Sequence, residues 1–220
     1  MTLMYRGKRT LDLVLVLVSL PVWLPALLVI ALLVRVRLGS PVFFRQRRAG
    51  LHGAPFLMIK FRTMTNACAA DGSLLPDAER LPPFGVMLRS TSMDELPELL
   101  NVLRGDMSIV GPRPLHDRYL PRYSREHARR HDVRPGLTGL AQVSGRNGLS
   151  WPERFDWDVA YVDSQSLLSD LRIIYRTIRV VFTRSGVAAG EEPTAPEFTG
   201  YGSAPVKGVD DALTARGGRP

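Results

Sequence analysis

The hydrophobic pattern is dominated by one uninterrupted run. From Leu13 to Val34 the chain reads LVLVLVSLPVWLPALLVIALLV without a charge. At about 1.5 Å per residue such a run reaches across a hydrocarbon core of roughly 30 Å, so the pattern predicts a membrane segment. It is too long for the apolar part of a signal peptide, about 7 to 15 residues, and no A-x-A site precedes Arg35. The segment is therefore expected to stay on the chain. Arg6, Lys8 and Arg9 precede it, and Arg35, Arg37, Arg45, Arg47 and Arg48 follow it. A spanning helix carries its positive charge mainly on one side. Here both ends carry it, and Pro21 and Pro25 each delete a backbone donor inside the segment. These facts predict a helix bent at Pro21 that re-enters the leaflet it came from. A Pro-kinked spanning helix remains the alternative.

Beyond Gly39-Ser40-Pro41 the pattern shortens. VFFRQRRAG and APFLMIKFRTM, joined by a Gly-containing turn, predict a β-hairpin. Residues 65–83, rich in Ala, Asp, Gly and Pro, predict a loop. A helix is expected from about Asp94 to Leu103, stopped by Gly105, and GPRP at 111–114 makes a rigid turn. Residues 115–131 read as a basic helix and Arg134 to Asn147 as a glycine-rich connection. Between Phe155 and Phe182 the apolar positions Leu168, Leu171, Tyr175, Ile178 and Phe182 recur at spacings of three and four, with Arg172, Arg176 and Arg179 on other faces. That spacing predicts an amphipathic helix. Core packing is the commoner use of such a stripe, and the arginines also suit an anionic membrane surface. After Gly186 the periodicity ends, which predicts a mobile tail. The resulting fold class is a helix-rich α/β protein in three parts. Residues 1–39 form a re-entrant membrane helix broken at Pro21, 40–186 a compact cytoplasmic domain with a small hairpin or sheet and membrane-surface amphipathic helices, and 187–220 the tail.

Charge narrows the partners. Over 220 residues Lys and Arg outnumber Asp and Glu by 29 to 21, a formal +8. This suits phosphate groups, acidic headgroups or nucleic acid. At 8% aromatic, with no interleaving of aromatic and basic residues, nucleic acid is not expected. The single cysteine, Cys68, excludes an internal disulfide and a Cys-rich zinc site, in keeping with a reducing compartment.

The densest candidate chemistry is RSTSMDELPELLNVLRGDMSIVGPRP. Asp94 and Glu95 are adjacent at a predicted helix start, with Pro97 in its first turn. As a helix cap the pair needs no further explanation. The same end of a helix, with Arg89, Arg104 and Arg113 near in sequence, also attracts phosphate. A carboxylate can attack phosphorus once arginines or a divalent ion neutralise the target, and magnesium suits one or two carboxylates plus substrate phosphate. Lys60 and Arg62 in KFRTM, Arg134 in VRPGLTG and Arg146 in SGRN are further basic groups in loop or turn settings. His127 and His131, four apart, lie in the strongly basic HARRH, a poor setting for a metal. Asp156 and Asp158 flank Trp157 where a helix cap is the default.

The motifs GSPVFFRQRRAG, KFRTM, SMDELPELLNVLRGDMSIVGPRP, VRPGLTGLAQVSGRN and FDWDVAYV, in this order over roughly residues 8–186, resemble the bacterial sugar transferases, the monotopic polyprenol-phosphate phosphoglycosyl transferases. The resemblance implies an inner-membrane enzyme at the cytoplasmic face of the bilayer. Asp94 would attack the diphosphate of a UDP-sugar, expel UMP and hold the phospho-sugar until undecaprenyl phosphate takes it. Glu95 would assist as second member of the pair, and Mg2+ would contact Asp94. Lys60, Arg62, Arg89, Arg113, Arg134 and Arg146 would bind phosphate and nucleotide, and Asp158 matches a functionally important acid. Two departures stand out. Leu20-Pro21, with Ser19 one place earlier, replaces the family's usual Ser-Pro break, and Gln46, Arg48, Ala49 and Gly50 stand where QxRPG is common. Two other readings remain: a membrane-anchored basic module without catalysis, and a UDP-sugar hydrolase using water as acceptor.

Overall fold

The computed structural model of the chain describes residues 5–145, 148–183 and 197–201. The first element, α1 (Lys8–Leu38), is a single 31-residue helix, long and apolar enough to cross a membrane. Both prolines lie inside it. Ser19 Oγ donates to the Leu15 carbonyl at 2.6 Å, and Trp23 Nε1 reaches back past Pro21 to the Val16 carbonyl at 2.9 Å. Such serine back-bonding accompanies helix bending. One face of α1 is buried from end to end through Asp12, Val16, Trp23, Leu27, Ile30 and Val34, whereas Val18, Val22, Leu28, Val29, Leu32 and Val36 are exposed.

Both ends of α1 are held by the rest of the chain. At its start Lys8 Nζ lies 2.6 Å from Asp170 and 3.7 Å from Asp12, all three side chains at most 3% exposed. Asp12 in turn accepts from Ser108 Oγ and the Ile109 N–H. At its end Arg62 donates to the carbonyls of Leu38 and Ser40. The hairpin appears as expected: β1 (Phe43–Ala49) pairs antiparallel with β2 (Pro55–Phe61), Phe44 opposite Lys60 and Arg48 opposite Phe56. Alternation therefore puts Arg48, Met58 and Lys60 on one face. The expected loop at 65–83 contains the short α2 (Asp77–Arg80) and leads into α3 (Pro83–Ser90). A Cβ on Gly85 would stand 2.0 Å from the Thr63 carbonyl, so glycine lets α3 lie directly against the end of the hairpin.

The expected helix from Asp94 is divided. Residues Met93–Glu95 form one 3₁₀ turn, and α4 (Glu98–Arg104) follows with Pro97, not Asp94, as its N-cap. Proline supplies no donor and its fixed φ opens a helix, which explains the shift. Gly105 ends α4 at φ 91°, its N–H bonded to the Asn101 and Val102 carbonyls, as the sequence predicts. Then β3 (Ser108–Val110) pairs in parallel with β4 (Gly136–Thr138), a strand that falls inside the predicted glycine-rich connection. A Cβ on Gly136 would lie 2.1 Å from the Gly111 nitrogen, so only glycines permit this approach. The predicted basic helix at 115–131 is instead two 3₁₀ segments, Asp117–Arg122 and His127–His131, with Pro121 inside the first.

Among the described residues three more helices follow, α5 (Leu140–Ser144), α6 (Trp151–Ser164) and α7 (Leu167–Thr183). The break at Gln165–Ser166 divides what periodicity joined. Ser150 and Glu153 form the capping box of α6, so Asp156 and Asp158 lie within the helix and do not cap it. On α7 the commoner core reading of the stripe fails. Leu168, Leu171, Tyr175 and Ile178 are 45–68% exposed, and the buried side is made by Asp170 and Ile173. The predicted tail lies outside the described residues except for 197–201. There Phe198, 2% exposed, packs among Tyr119, Tyr123, Trp151 and Phe155, and Glu197 pairs with Arg118 and Arg122.

Candidate active site

The 3₁₀ turn carrying Asp94 and Glu95 is entered through Ser92, a non-glycine residue at φ 55°. Backbone held in this region costs about 1–3 kcal/mol and concentrates at functional sites. The turn sits against β2 and α3, which bring two cations to it. Lys60 Nζ lies 2.6 Å from Glu95 Oε1 and 3.2 Å from Glu98 Oε1, and Arg113 Nη2 reaches the same Glu95 oxygen at 2.7 Å from the GPRP turn. Arg89, at the end of α3, donates from Nε to Thr63 Oγ1 at 3.0 Å.

The two carboxylates therefore differ. Burial opposes the charge on Glu95, but Arg113 and Lys60 outweigh it and hold Glu95 well below the usual range. Asp94, 8% exposed, feels Lys60, Arg113 and Arg89 only through space. Burial first, then the charge of Glu95, pushes it up to about 6. One acid is fixed as an anion by two cations. The other holds its proton more tightly and ionises only as the pH approaches neutrality. Glu98, the first residue of α4, is held upward chiefly by burial, with the Glu95 charge adding to it against Lys60.

The other sequence-predicted residues divide. Lys60, Arg89 and Arg113 gather around the pair. Asp158 acts one step removed: Arg130 donates to its Oδ2 from Nε at 3.0 Å and Nη2 at 2.7 Å, and the same Nη2 donates to the Arg113 carbonyl at 2.7 Å. Burial favours a neutral Asp158, whereas Asp158 keeps Arg130 charged. Two donors converging on one oxygen decide for an ionised pair. Arg62 is placed elsewhere, 7% exposed and clamped on the end of α1. Arg134 Nε caps the far end of α4 at the Gly105 carbonyl, 2.8 Å away. Arg146 lies outside the described residues. His127 bonds Asp156 and His131 faces the Gly50 carbonyl, so the two histidines take separate partners.

Sequence reasoning missed Arg130, Glu98 and Arg48. Arg130 sits in HARRH, which reads as a solvated run, yet it is 2% exposed. Its signal was the unpaired acid of FDWDVAYV, which needs a cation inside. Among the described residues no group of three or more His, Cys, Asp and Glu side chains is placed to hold a metal ion between them. With Glu95 Oε1 taken by two cations, Asp94 is the carboxylate that suits an ion arriving on a diphosphate.

A carboxylate pair with unequal proton affinities, flanked by Lys and Arg, thus stands on a helix-rich α/β domain behind an apolar helix, an arrangement whose charges suit a phosphoryl group. The chain belongs to the bacterial sugar transferase family, whose model matches residues 3–184. It is 53% identical over 77% of its length to an uncharacterized sugar transferase, EpsL, of Bacillus subtilis, covering 84% of that protein. It is 45% identical, over 80% of its length and 70% of the relative, to a UDP-glucose:undecaprenyl-phosphate glucose-1-phosphate transferase of Caulobacter vibrioides. The exopolysaccharide production protein ExoY of Rhizobium meliloti is 38% identical over 82% of this chain and 87% of its own.

Proposed function

We propose that the chain transfers a phospho-sugar from a UDP-sugar to undecaprenyl phosphate, releasing UMP, as the first step of exopolysaccharide or related glycoconjugate assembly. The observation that carries this is the unequal pair, Asp94 near neutrality beside a Glu95 fixed by Lys60 and Arg113, in a chain whose relatives are named for this transfer. An Asp94 oxygen forms a bond to the sugar-bearing phosphorus, and the bond from that phosphorus to the UMP oxygen breaks. An oxygen of undecaprenyl phosphate then bonds the same phosphorus as the Asp94 bond breaks, leaving a lipid diphosphate sugar. Glu95 keeps Lys60 and Arg113 directed at the phosphates, and Arg130 with Asp158 holds the Arg113 backbone. A Mg2+ held by Asp94 together with the diphosphate would neutralise charge on the incoming nucleotide.

Purified protein given a UDP-sugar panel, Mg2+ and undecaprenyl phosphate is expected to release UMP and form the lipid-linked product with at least one sugar. UMP without a lipid product would assign a hydrolase, and no turnover with any UDP-sugar would sink the enzyme reading.

The same proposal places the protein on the cytoplasmic face of the inner membrane, α1 entering and leaving one leaflet. Supporting this, Lys8 at one end of α1 and Leu38 at the other both bind the same domain, positive charge flanks both ends, and the exposed α7 stripe offers an apolar surface beside arginines. Cysteines placed near positions 3 and 40 are expected to label together in inverted vesicles, which expose the cytoplasmic side, and neither is expected to label in right-side-out vesicles. Labelling from opposite sides would establish a spanning helix.

A further inference from the structure

A cleft of about 60 Å³ opens beside the pair, about twice the share of one liquid water. Arg48 and Lys60 line it from the hairpin, Glu98 from α4 and Arg113 from the GPRP turn, with Met58 and Leu115 as apolar wall. Two of its polar atoms have no part in the transfer chemistry above. Arg48 Nη2 donates to Gln46 Oε1 at 2.5 Å, but its Nε is buried and without a hydrogen-bond partner among the described residues. Glu98 Oε1 is buried too, with the Lys60 ammonium beside it at 3.2 Å as an ion pair but no hydrogen bond of regular geometry. A buried guanidinium nitrogen without a partner is costly, and beside a cleft it calls for a ligand that accepts from it.

The charges describe that ligand. Arg48, Lys60 and Arg113 line the cleft against one carboxylate, Glu98, with Glu95 behind Lys60 and Arg113, so the cations outnumber the carboxylates and the cleft suits an anion. Glu98 in its neutral form offers a proton donor to an oxygen. We propose that this cleft is a second phosphate subsite, beside the transfer position at Asp94, which binds a phosphate monoester dianion through Arg48 Nε and Glu98. It rests on the reading of Asp94 as the transfer centre. That reaction handles two monoesters besides the transferred group, the UMP that leaves and the polyprenol phosphate that arrives, and either fits the chemistry of the cleft.

The test uses the full-length protein in lipid nanodiscs and three readouts: KM for undecaprenyl phosphate, Ki for UMP as product inhibitor, and the UMP burst with UDP-sugar alone. Arg48→Gln is expected to raise KM or Ki by about tenfold or more while the burst persists. A rise in KM alone assigns the cleft to the lipid phosphate, a rise in Ki alone to the nucleotide, and a rise in both to each in turn. Glu98→Gln, which keeps a donor, is expected to stay within about threefold, and Glu98→Leu to behave like Arg48→Gln. Should Arg48→Gln not fold, the two Glu98 variants decide. Unchanged KM and Ki in Arg48→Gln and Glu98→Leu overturn the subsite, as does Glu98→Gln failing as badly as Glu98→Leu. A missing burst in the unsubstituted protein faults the Asp94 reading instead, and the two constants still decide the subsite.

Discussion

Replacing Asp94 with Asn is expected to lower UMP release by about 10³-fold or more and, at neutral pH without metal or substrate, to make the fold more stable. The first effect follows from loss of the attacking oxygen, since an amide does not substitute for a nucleophilic carboxylate. The second follows from its proton affinity. In the folded chain Asp94 keeps its proton up to about pH 6, against an ordinary 3.8. A group raised in this way contributes its stability below its unfolded value and loses it as pH rises through the folded one. Between about pH 4 and pH 7 that loss is on the order of 3 kcal/mol for a side chain so buried. Asn carries no such dependence. Chemical denaturation in EDTA across this range should show the unsubstituted protein weakening relative to Asp94→Asn. Over the same range kcat/KM for the UDP-sugar should rise as Asp94 ionises. A variant less stable than its parent at pH 7.5, or an acid-insensitive kcat/KM, would contradict the assigned environment.

The second large effect concerns Arg130 and Asp158. Both are nearly inaccessible, and Arg130 also stacks over Tyr123 and Phe155. Arg130→Met leaves Asp158 buried without a cation, which should cost about 3–5 kcal/mol. It also removes the bond to the Arg113 carbonyl. A displacement of Arg113 by about 1 Å would lower kcat by about 10²-fold. The double variant Arg130→Met with Asp158→Leu separates the two consequences. It is expected to recover most of the stability, because an apolar pair satisfies the site, and none of the kcat. Denaturation midpoints beside UMP release make the comparison. Recovery of both would assign the pair to the fold alone.

The parts of this molecule legible in its sequence are those with a local cause. The hairpin follows from alternation and a glycine turn, the end of α4 from Gly105, and the Asp94-Glu95 pair from the density of charge around one proline. What escaped has causes remote in sequence. The pairing of β3 with β4 involves three residues on each strand, too few for a period, and rests on the contact of Gly111 with Gly136. The basic stretch 115–131 has helical composition, yet Pro121 and the demand of Asp158 for Arg130 turn it into 3₁₀ segments. Leu168, Leu171, Tyr175 and Ile178 show that periodicity gives the amphipathic face of a helix but not what covers it. Arg48 and Glu98 look like surface charges until the hairpin register and the first turn of α4 bring them to one cleft. Arg62 shows the converse, a residue in a motif that holds α1 and does not reach the dyad.

The most direct test of the central claim is the intact mass of the protein quenched in acid after mixing with UDP-sugar and Mg2+ without acceptor, followed by peptide mapping. One phospho-sugar per chain is expected, located on Asp94, and it disappears when undecaprenyl phosphate is added. UMP and lipid-linked product formed in a single turnover with no adduct, or with the adduct on another residue, would contradict it.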